Sequence, residues 1–516
     1  MDADYGLGSW PARRARISPD VVALRQGGRA LTYAELAERV ERLADGLAVC
    51  GVGPGDRVAY LGANDVATFE VLFATGRLGA IFAPFNTRLA PPEIGYLLED
   101  SAPTVFVHSG ELAELVATAD PAARGVPTTV QVGTESYDAL CTGAPARERG
   151  RPVALSDDAV ILYTSGTTGR PKGAVLSHGN LTFNMMNQLA HVDVLARDVA
   201  LCIAPLFHAT GLGMVSLPTL FKGGTVVVVP RFEPGAVLAA IAEHGVASFS
   251  GVPTMLAMLC DHPDFARTEL GSLRYAIYGG SMIAERVAVA WQDRGVTVLQ
   301  GYGMTEASPG VYMAPVAGST ERPLSVGVPQ FYTDVTFDPD RDEPHPGERG
   351  ELLVRGLNVT RGYWNRPADT ERAFDSGWYR SGDIVRVDPD GWAYVVDRVR
   401  DLIISGGENV YPAEVEAVVN TLAGVLDCSV IAVPDERWGE VGHAYVVTGA
   451  CTDAGTGSGA RADRWTEHTL RAALTGRLAA FKIPKYVTFL DELPRTATGK
   501  VRKDVLRDKA ASTPHP

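Results

Sequence analysis

The segment AVILYTSGTTGRPKGAVLSH, residues 159–178, constrains this chain more than any other. An apolar strand runs into a loop of Thr164, Ser165, Gly166, Thr167, Thr168 and Gly169, then Lys172, and a second apolar strand starts at Ala174. Glycines let backbone N–H groups approach anionic oxygens, hydroxyls add donors, and the lysine adds charge. That is the chemistry of a polyphosphate cradle. It is not a Walker A loop, because the G-x-x-x-x-G-K-[ST] spacing fails and the flanks read strand–loop–strand. A plain polar hairpin turn is the bland alternative.

Around this loop the pattern alternates between helix and strand. Residues 31–56 carry apolar side chains at helical spacing and stop at Gly51, Pro54 and Gly55. DRVAYLGAN then reads as a buried strand, FEVLFATGRLGA as a helix, and FAPFN as another strand. Between 190 and 300 the pieces DVALCIAP, GGTVVVVP, ASFSGVP, LRYAIYGG and VTVLQGYG read as strands separated by helices, the mark of a mostly parallel α/β sheet. From about residue 323, short alternating strands with Asp-Gly and Pro-Gly turns predict a β-rich piece. After Arg398 come a strand at DLIIS, a Gly-rich turn, a helix at YPAEVEAVVNTL and a strand at DCSVIAVP. The expected fold is α/β: a large N-terminal domain, residues 1–397, of two α/β subdomains plus a small β-rich subdomain. A hinge at 398–402 and a small α+β C-terminal domain at 403–516 follow.

Charge and cysteine usage exclude several classes. Lys plus Arg number 47 against 61 Asp plus Glu, a net charge of −14, which argues against general nucleic-acid binding. An anionic ligand must be held by a local site. Six scattered cysteines without a Cys-x-x-Cys pair read as reduced thiols. The N-terminal arginines have no apolar stretch beside them, so no secretory signal is expected, and the longest apolar runs, such as TVVVVP, are strand-length. A cytoplasmic protein without a transmembrane segment is expected.

YTSGTTGRPKG resembles the phosphate-loop signature of the adenylate-forming superfamily, in its acyl-CoA synthetase branch of fatty-acyl and aryl-CoA ligases. PLFHATG (205–211), YGGS (278–281), GYGMTE (301–306), YRSGD (379–383), DRVRDLIISGGENVYPAEVE (397–416) and PRTATGK (494–500) follow in the order of that family. One such motif arises by chance; seven in order do not.

Each motif also has a physical reading. In YGGS, Gly279, Gly280 and Ser281 let backbone pass close to an adenine and an acyl chain, as the resemblance implies; alone, the string is a tight turn. In GYGMTE, Gly301, Tyr302 and Gly303 lead to Thr305 and Glu306. Tyr302 offers a flat face to a purine, Thr305 a hydroxyl to phosphate, and Glu306 a hard oxygen ligand to Mg²⁺. Without the resemblance, the string also reads as a helix entry with a Thr cap. Asp383 suits two ribose hydroxyls, with Ser381 where the family commonly has Thr, and Arg398 matches an arginine that also contacts ribose. Lys500, in PRTATGK, matches the family's catalytic lysine: a positioned cation stabilises the charge that builds when a carboxylate attacks an α-phosphate. The resemblance further implies that the C-terminal domain rotates about position 400, here Arg where Asp or Lys is more usual. That rotation withdraws Lys500 and brings up the loop Ser405, Gly406, Gly407 and Glu408, whose glycines would line a pantetheine channel.

The acid is less legible. His208 in PLFHATG stands where acyl and aryl ligases carry an aromatic or His near the carboxylate. No Asp follows to hold an α-ammonium and no Arg to pair a second carboxylate, which disfavours amino acids and dicarboxylates. Met255, Met258 and Met313 read either as an adaptable apolar wall or as ordinary core residues. The resemblance implies an acid–thiol ligase using ATP, Mg²⁺ and coenzyme A on a fatty or aryl monocarboxylic acid. The alternatives are an enzyme loading an acyl carrier protein and a free-standing amino-acid adenylation enzyme. A non-catalytic nucleotide sensor would need a broken site, and Lys172, Glu306, Asp383 and Lys500 are all intact.

Overall fold

Capping and apolar periodicity set the first long helix. Thr32 accepts a hydrogen bond from the Glu35 N–H, Glu35 accepts one from the Thr32 N–H, and the helix Tyr33–Val49 buries Leu36, Val40, Leu43 and Leu47. In the computed structural model the described residues are 4–142, 152–164, 170–280, 283, 285–323, 325–398, 402–449, 465–494 and 501–512. The chain divides into two compact units, one of Met1–Thr87, Gly95–Tyr163 and Gly173–Val399, the other of Arg88–Ile94, Thr164–Lys172 and Arg400–Pro516.

The first unit is built on two α/β sheets. A nine-stranded sheet runs Val328–Pro329, Gly310–Met313, Thr297–Gly303, Tyr275–Tyr278, Ser248–Gly251, Val199–Cys202, Thr225–Val228, Val22–Gln26 and Arg29–Thr32. Its six middle strands are parallel, and antiparallel strands close both edges. The six-stranded sheet runs Thr128–Gln131, Val105–His108, Arg57–Leu61, Ile81–Pro84, Asp158–Thr164 and Lys172–Ser177. Burial of Val58, Tyr60, Phe69, Phe73 and Phe82 fills the core beside it, while Leu256, Phe249 and Trp291 fill another. A third, antiparallel sheet of Thr333–Thr336, Arg349–Gly356, Trp378–Val387, Phe374–Asp375 and Ala393–Arg398 forms the β-rich piece. The large unit is therefore mixed α/β as expected, although the edge hairpin Val22–Thr32 carries no alternation that announces it.

In the second unit, Glu408–Val410, Ile403–Ser405, Gly439–Thr448 and Val425–Asp435 pair in sequence, with Tyr486–Leu490 parallel to Gly439–Thr448. The helices Pro412–Val419 and Glu467–Leu474 pack on this sheet through Val415, Val419, Leu470 and Leu474, which are fully buried. Proline starts the first of these, and it ends at Val419, short of the Leu422 to which the sequence pattern extends.

Cys50, Cys141, Cys202, Cys260 and Cys428 are free, and burial pushes the thiols of Cys141 and Cys202 up to about 12, which makes them unreactive packing residues. Cys451 lies outside the described residues. Among the described residues no helix is long and apolar enough to cross a membrane.

Candidate active site

In an open α/β sheet, ligands gather beyond the carboxyl ends of the parallel strands. Three of the sequence motifs emerge there. Val199–Cys202 leads to Pro205–His208, Tyr275–Tyr278 to Gly279 and Gly280, and Thr297–Gly303 to Thr305 and Glu306. The middle strand of this set lies beside Thr297–Gly303, in parallel register from Tyr275↔Thr297 to Tyr278↔Gln300. A Cβ on Gly279 would stand 2.9 Å from the Gly301 carbonyl oxygen, so the two motifs meet backbone to backbone and the first must be glycine. Gly280 takes φ +89°, a conformation few other residues adopt.

Glu306 sits in a short 3₁₀ turn, Thr305–Ala307, whose preceding residue, Met304, makes no side-chain cap. The helix entry with a Thr cap that the string also suggests is thus not formed. The Glu306 side chain is buried, at 8% relative exposure, and Tyr363 donates its hydroxyl hydrogen to Oε1 at 2.7 Å. The Tyr379 hydroxyl lies 3.0 Å from that of Tyr363. Burial first, then the Glu306 charge, pushes the Tyr363 phenol far above its ordinary range, so it stays protonated as a donor. Thr305 is half-buried beside it. Among the described residues no group of three or more His, Cys, Asp or Glu is placed to hold a metal. One carboxylate and a neighbouring hydroxyl do fit Mg²⁺ on a triphosphate, because that ion keeps waters and phosphate oxygens as most of its ligands.

Tyr302 donates to Asp383 Oδ2 at 2.7 Å, and Ser381 Oγ accepts the Asp383 N–H at 3.1 Å. Burial, reinforced by the Asp383 charge, pushes the Tyr302 phenol well up. Asp383 is a strand residue and pairs in register with Arg398. The two positions matched to ribose contacts therefore face one another across a β-ladder.

His208 is half-buried, with its ring 4.7 Å from that of Phe207. Its backbone carbonyl accepts from Gly211, where the chain enters a π-helical turn, Gly211–Ser216. Such turns are frequent at functional sites. A Cβ on Gly211 would lie 2.2 Å from the Pro205 carbonyl oxygen, and one on Gly213 2.7 Å from that of Ser308, so the turn packs directly on backbone. Met214 from this turn reaches Gly301.

Sequence reasoning missed the residues that hold these pieces together. The helix His178–His191 carries Asn180, Asn184 and Asn187 at i, i+4 and i+7. Asn180 donates to the carbonyls of Leu357 and Val359, and Asn187 to Thr333. Asn184 donates to the Gly213 carbonyl and accepts the Gly310 N–H, each at 3.0 Å. Asn358 donates to the carbonyls of Ala307 and Gly310. The signal that finds the helix residues is a polar stripe on a buried helix face. The three methionines do not form one wall. Met313 is fully buried in the cluster of the first sheet, Met255 packs against the cluster around Trp291, and Met258 is 49% exposed. The apolar character of their segments did not tell which core each would join.

Thr164 ends the strand Asp158–Thr164, and Lys172 begins the strand Lys172–Ser177, two residues earlier than the apolar pattern suggests. The Thr164 hydroxyl donates to the Lys172 carbonyl at 3.4 Å, closing the base of the loop. Ser165, Gly166, Thr167 and Thr168 lie outside the described residues, as do Ser281, Arg400 and Lys500. In the second unit, Ser405 pairs with Glu408 across Gly406 and Gly407, at φ +58° and +84°, a tight hairpin that requires both glycines. Glu408 is buried.

Residues 11–364 match the family described as AMP-binding enzyme, and residues 414–500 match the AMP-binding enzyme C-terminal domain. The chain is 49% identical to a feruloyl-CoA synthase of Amycolatopsis sp, over 98% of this chain and 99% of that protein. It is 40% identical to an indoleacetate–CoA ligase of Aromatoleum aromaticum, over 98% of each. Among solved structures it resembles a double mutant of o-succinylbenzoate CoA synthetase from Bacillus subtilis bound to a product analogue. The TM-score is 0.85 at 32% identity, covering 97% of this chain and 98% of that one.

Proposed function

The chain belongs to the AMP-binding enzyme family as an ATP-dependent, AMP-forming acid–CoA ligase, and from that premise we propose that its acid is an aryl-propenoic acid of the ferulic type. The observation that carries this reading is the 49% identity to a feruloyl-CoA synthase across 98% of the chain. The absence of an Asp or Arg in PLFHATGLG agrees with an acid that bears no ammonium and no second carboxylate.

The reaction has two steps. A carboxylate oxygen attacks the α-phosphorus of ATP, the bond to pyrophosphate breaks, and acyl-AMP remains. The thiol sulfur of coenzyme A then attacks the acyl carbon, loses its proton, and AMP leaves with the C–O electrons. We assign the loop 164–172 to the phosphates, Gly279 and Gly280 to the adenine and acyl edge, and Asp383 with Arg398 to the ribose. Thr305 takes a phosphate oxygen and His208 the carboxylate end of the acid. Mg²⁺, held by Glu306, would neutralise the triphosphate when bound. Lys500 stabilises the charge that builds during attack, and residues 398–402 form the hinge through which the C-terminal domain, 403–516, exchanges Lys500 for the hairpin Ser405–Glu408. The acceptor is coenzyme A, and a cytoplasmic location, where coenzyme A and reduced thiols are found together, belongs to the same proposal.

AMP release measured with ferulic, p-coumaric, cinnamic, indoleacetic, octanoic and palmitic acids tests the substrate. The propenoic acids should lead in kcat/KM by about tenfold or more, the scale of a few misplaced apolar contacts. A fatty acid at the head of the series would overturn the proposal.

A further inference from the structure

The segment Asn358–Trp364 straps Glu306 to the strand that leaves the phosphate loop. On one side, Val175 donates its N–H to the Gly362 carbonyl at 3.0 Å, Trp364 donates to the Gly173 carbonyl at 2.8 Å, and Ala174 bridges Tyr363. The Thr360 hydroxyl adds a 2.6 Å bond to the Val175 carbonyl. On the other side, the Thr360 N–H is held by the Glu306 carbonyl at 2.7 Å, and the Tyr363 hydroxyl by the Glu306 carboxylate at the same distance. The backbone of Glu306 and its side chain are thus fixed by one short segment, itself bonded to the strand Lys172–Ser177.

Tyr363 has one hydroxyl hydrogen. When it goes to Glu306, the 3.0 Å contact with Tyr379 is made by the Tyr379 hydrogen, so the chain of donation runs Tyr379 to Tyr363 to Glu306. Tyr379 is buried and stands on the strand Trp378–Val387, the same strand that carries Asp383. A carboxylate supported this way has one oxygen committed and its rotamer set, which leaves the second oxygen to be aimed.

We propose that Tyr363 is a positioning residue for Glu306, holding its carboxylate, with Tyr379 behind it, in the orientation that a divalent cation on the bound triphosphate requires. This rests on the assignment of Glu306 as a cation ligand. The segment also gives that carboxylate a fixed mechanical relation to the backbone of Gly173, Ala174 and Val175.

The test is binding of Mn²⁺ to the full-length protein with ATP and no acid, followed by electron paramagnetic resonance, beside ATP binding in EDTA and a thermal melt. Tyr363→Phe should weaken Mn²⁺ in the ATP complex by about tenfold, the low end for loss of a supporting hydrogen bond, and leave ATP binding in EDTA within about twofold. Tyr379→Phe should shift Mn²⁺ the same way by a smaller factor, and it decides the matter if Tyr363→Phe does not fold. Unchanged Mn²⁺ affinity in Tyr363→Phe, or equal weakening of ATP with and without the metal, would overturn the proposal. Glu306→Gln separates the two layers. If it weakens Mn²⁺ while Tyr363→Phe does not, only the positioning role falls; if it has no effect, the cation assignment falls with it.

Discussion

The phenol of Tyr302 donates to Asp383 Oδ2 at 2.7 Å, so a residue from the end of a parallel strand and one from the β-rich sheet act as a single unit. In the proposed site the tyrosine ring would take the base, while its hydroxyl orients the carboxylate proposed to hold the ribose. Removing that hydroxyl should loosen the sugar and leave the acid alone. Tyr302→Phe should raise KM for ATP by about five- to tenfold, about 1–1.5 kcal/mol or the net worth of one hydrogen bond, and narrow the preference for ATP over 2′-deoxy-ATP. Steady-state kinetics with both nucleotides checks this, and an unchanged ratio would detach Asp383 from the ribose.

The division of labour assigned to Lys500 separates the half-reactions. Lys500→Ala should slow acyl-AMP formation by about 10²–10³-fold, the scale of a lost transition-state donor. Thioester formation from supplied acyl-AMP should be largely spared. Equal loss in both steps would remove the assignment.

Asn184 satisfies two buried backbone groups at once, the Gly310 N–H and the Gly213 carbonyl. Asn184→Ala orphans both, at about 1–3 kcal/mol for each unpaired group. Urea denaturation should show a loss of about 2–6 kcal/mol with an unchanged slope, and a variant within 0.5 kcal/mol of the parent (roughly the scatter of neutral surface changes) would contradict the pairing.

His178 gives a pH dependence of stability. Its Nδ1 accepts the Leu7 N–H at 3.1 Å, its Nε2 is buried, and burial lowers its pKa from 6.5 to about 4. The unfolded chain therefore binds the proton first as pH falls, and stability present above about pH 6.5 drains away towards pH 4. At roughly 1.4 kcal/mol per pKa unit, the loss reaches about 3 kcal/mol. Denaturation midpoints at several pH values should fall across this window, and His178→Gln should flatten the slope.

The strands ending at Cys202, Tyr278 and Gly303 are legible because each carries a short apolar run that proline or glycine closes, a pattern with few other readings. The motif loops were legible for the same reason, their glycines marking where backbone meets backbone, as at Gly279 and Gly301. What holds the loops was not. Asn180 bonds to a carbonyl 177 positions away, Tyr363 to a carboxylate 57 away, and Asn184 to an amide 126 away. Partners so distant leave no local period, and a backbone carbonyl has no sequence letter of its own. Met313 shows a second limit: hydrophobicity says that a side chain is buried, not in which core.

Oxygen transfer tests the chemistry most directly. Ferulic acid labelled with heavy oxygen in both carboxylate positions is turned over with ATP and coenzyme A, and the AMP is weighed by mass spectrometry. Attack of the carboxylate on the α-phosphorus predicts one heavy oxygen in every AMP formed. Unlabelled AMP, or ADP in its place, would contradict an acyl-adenylate intermediate in this protein.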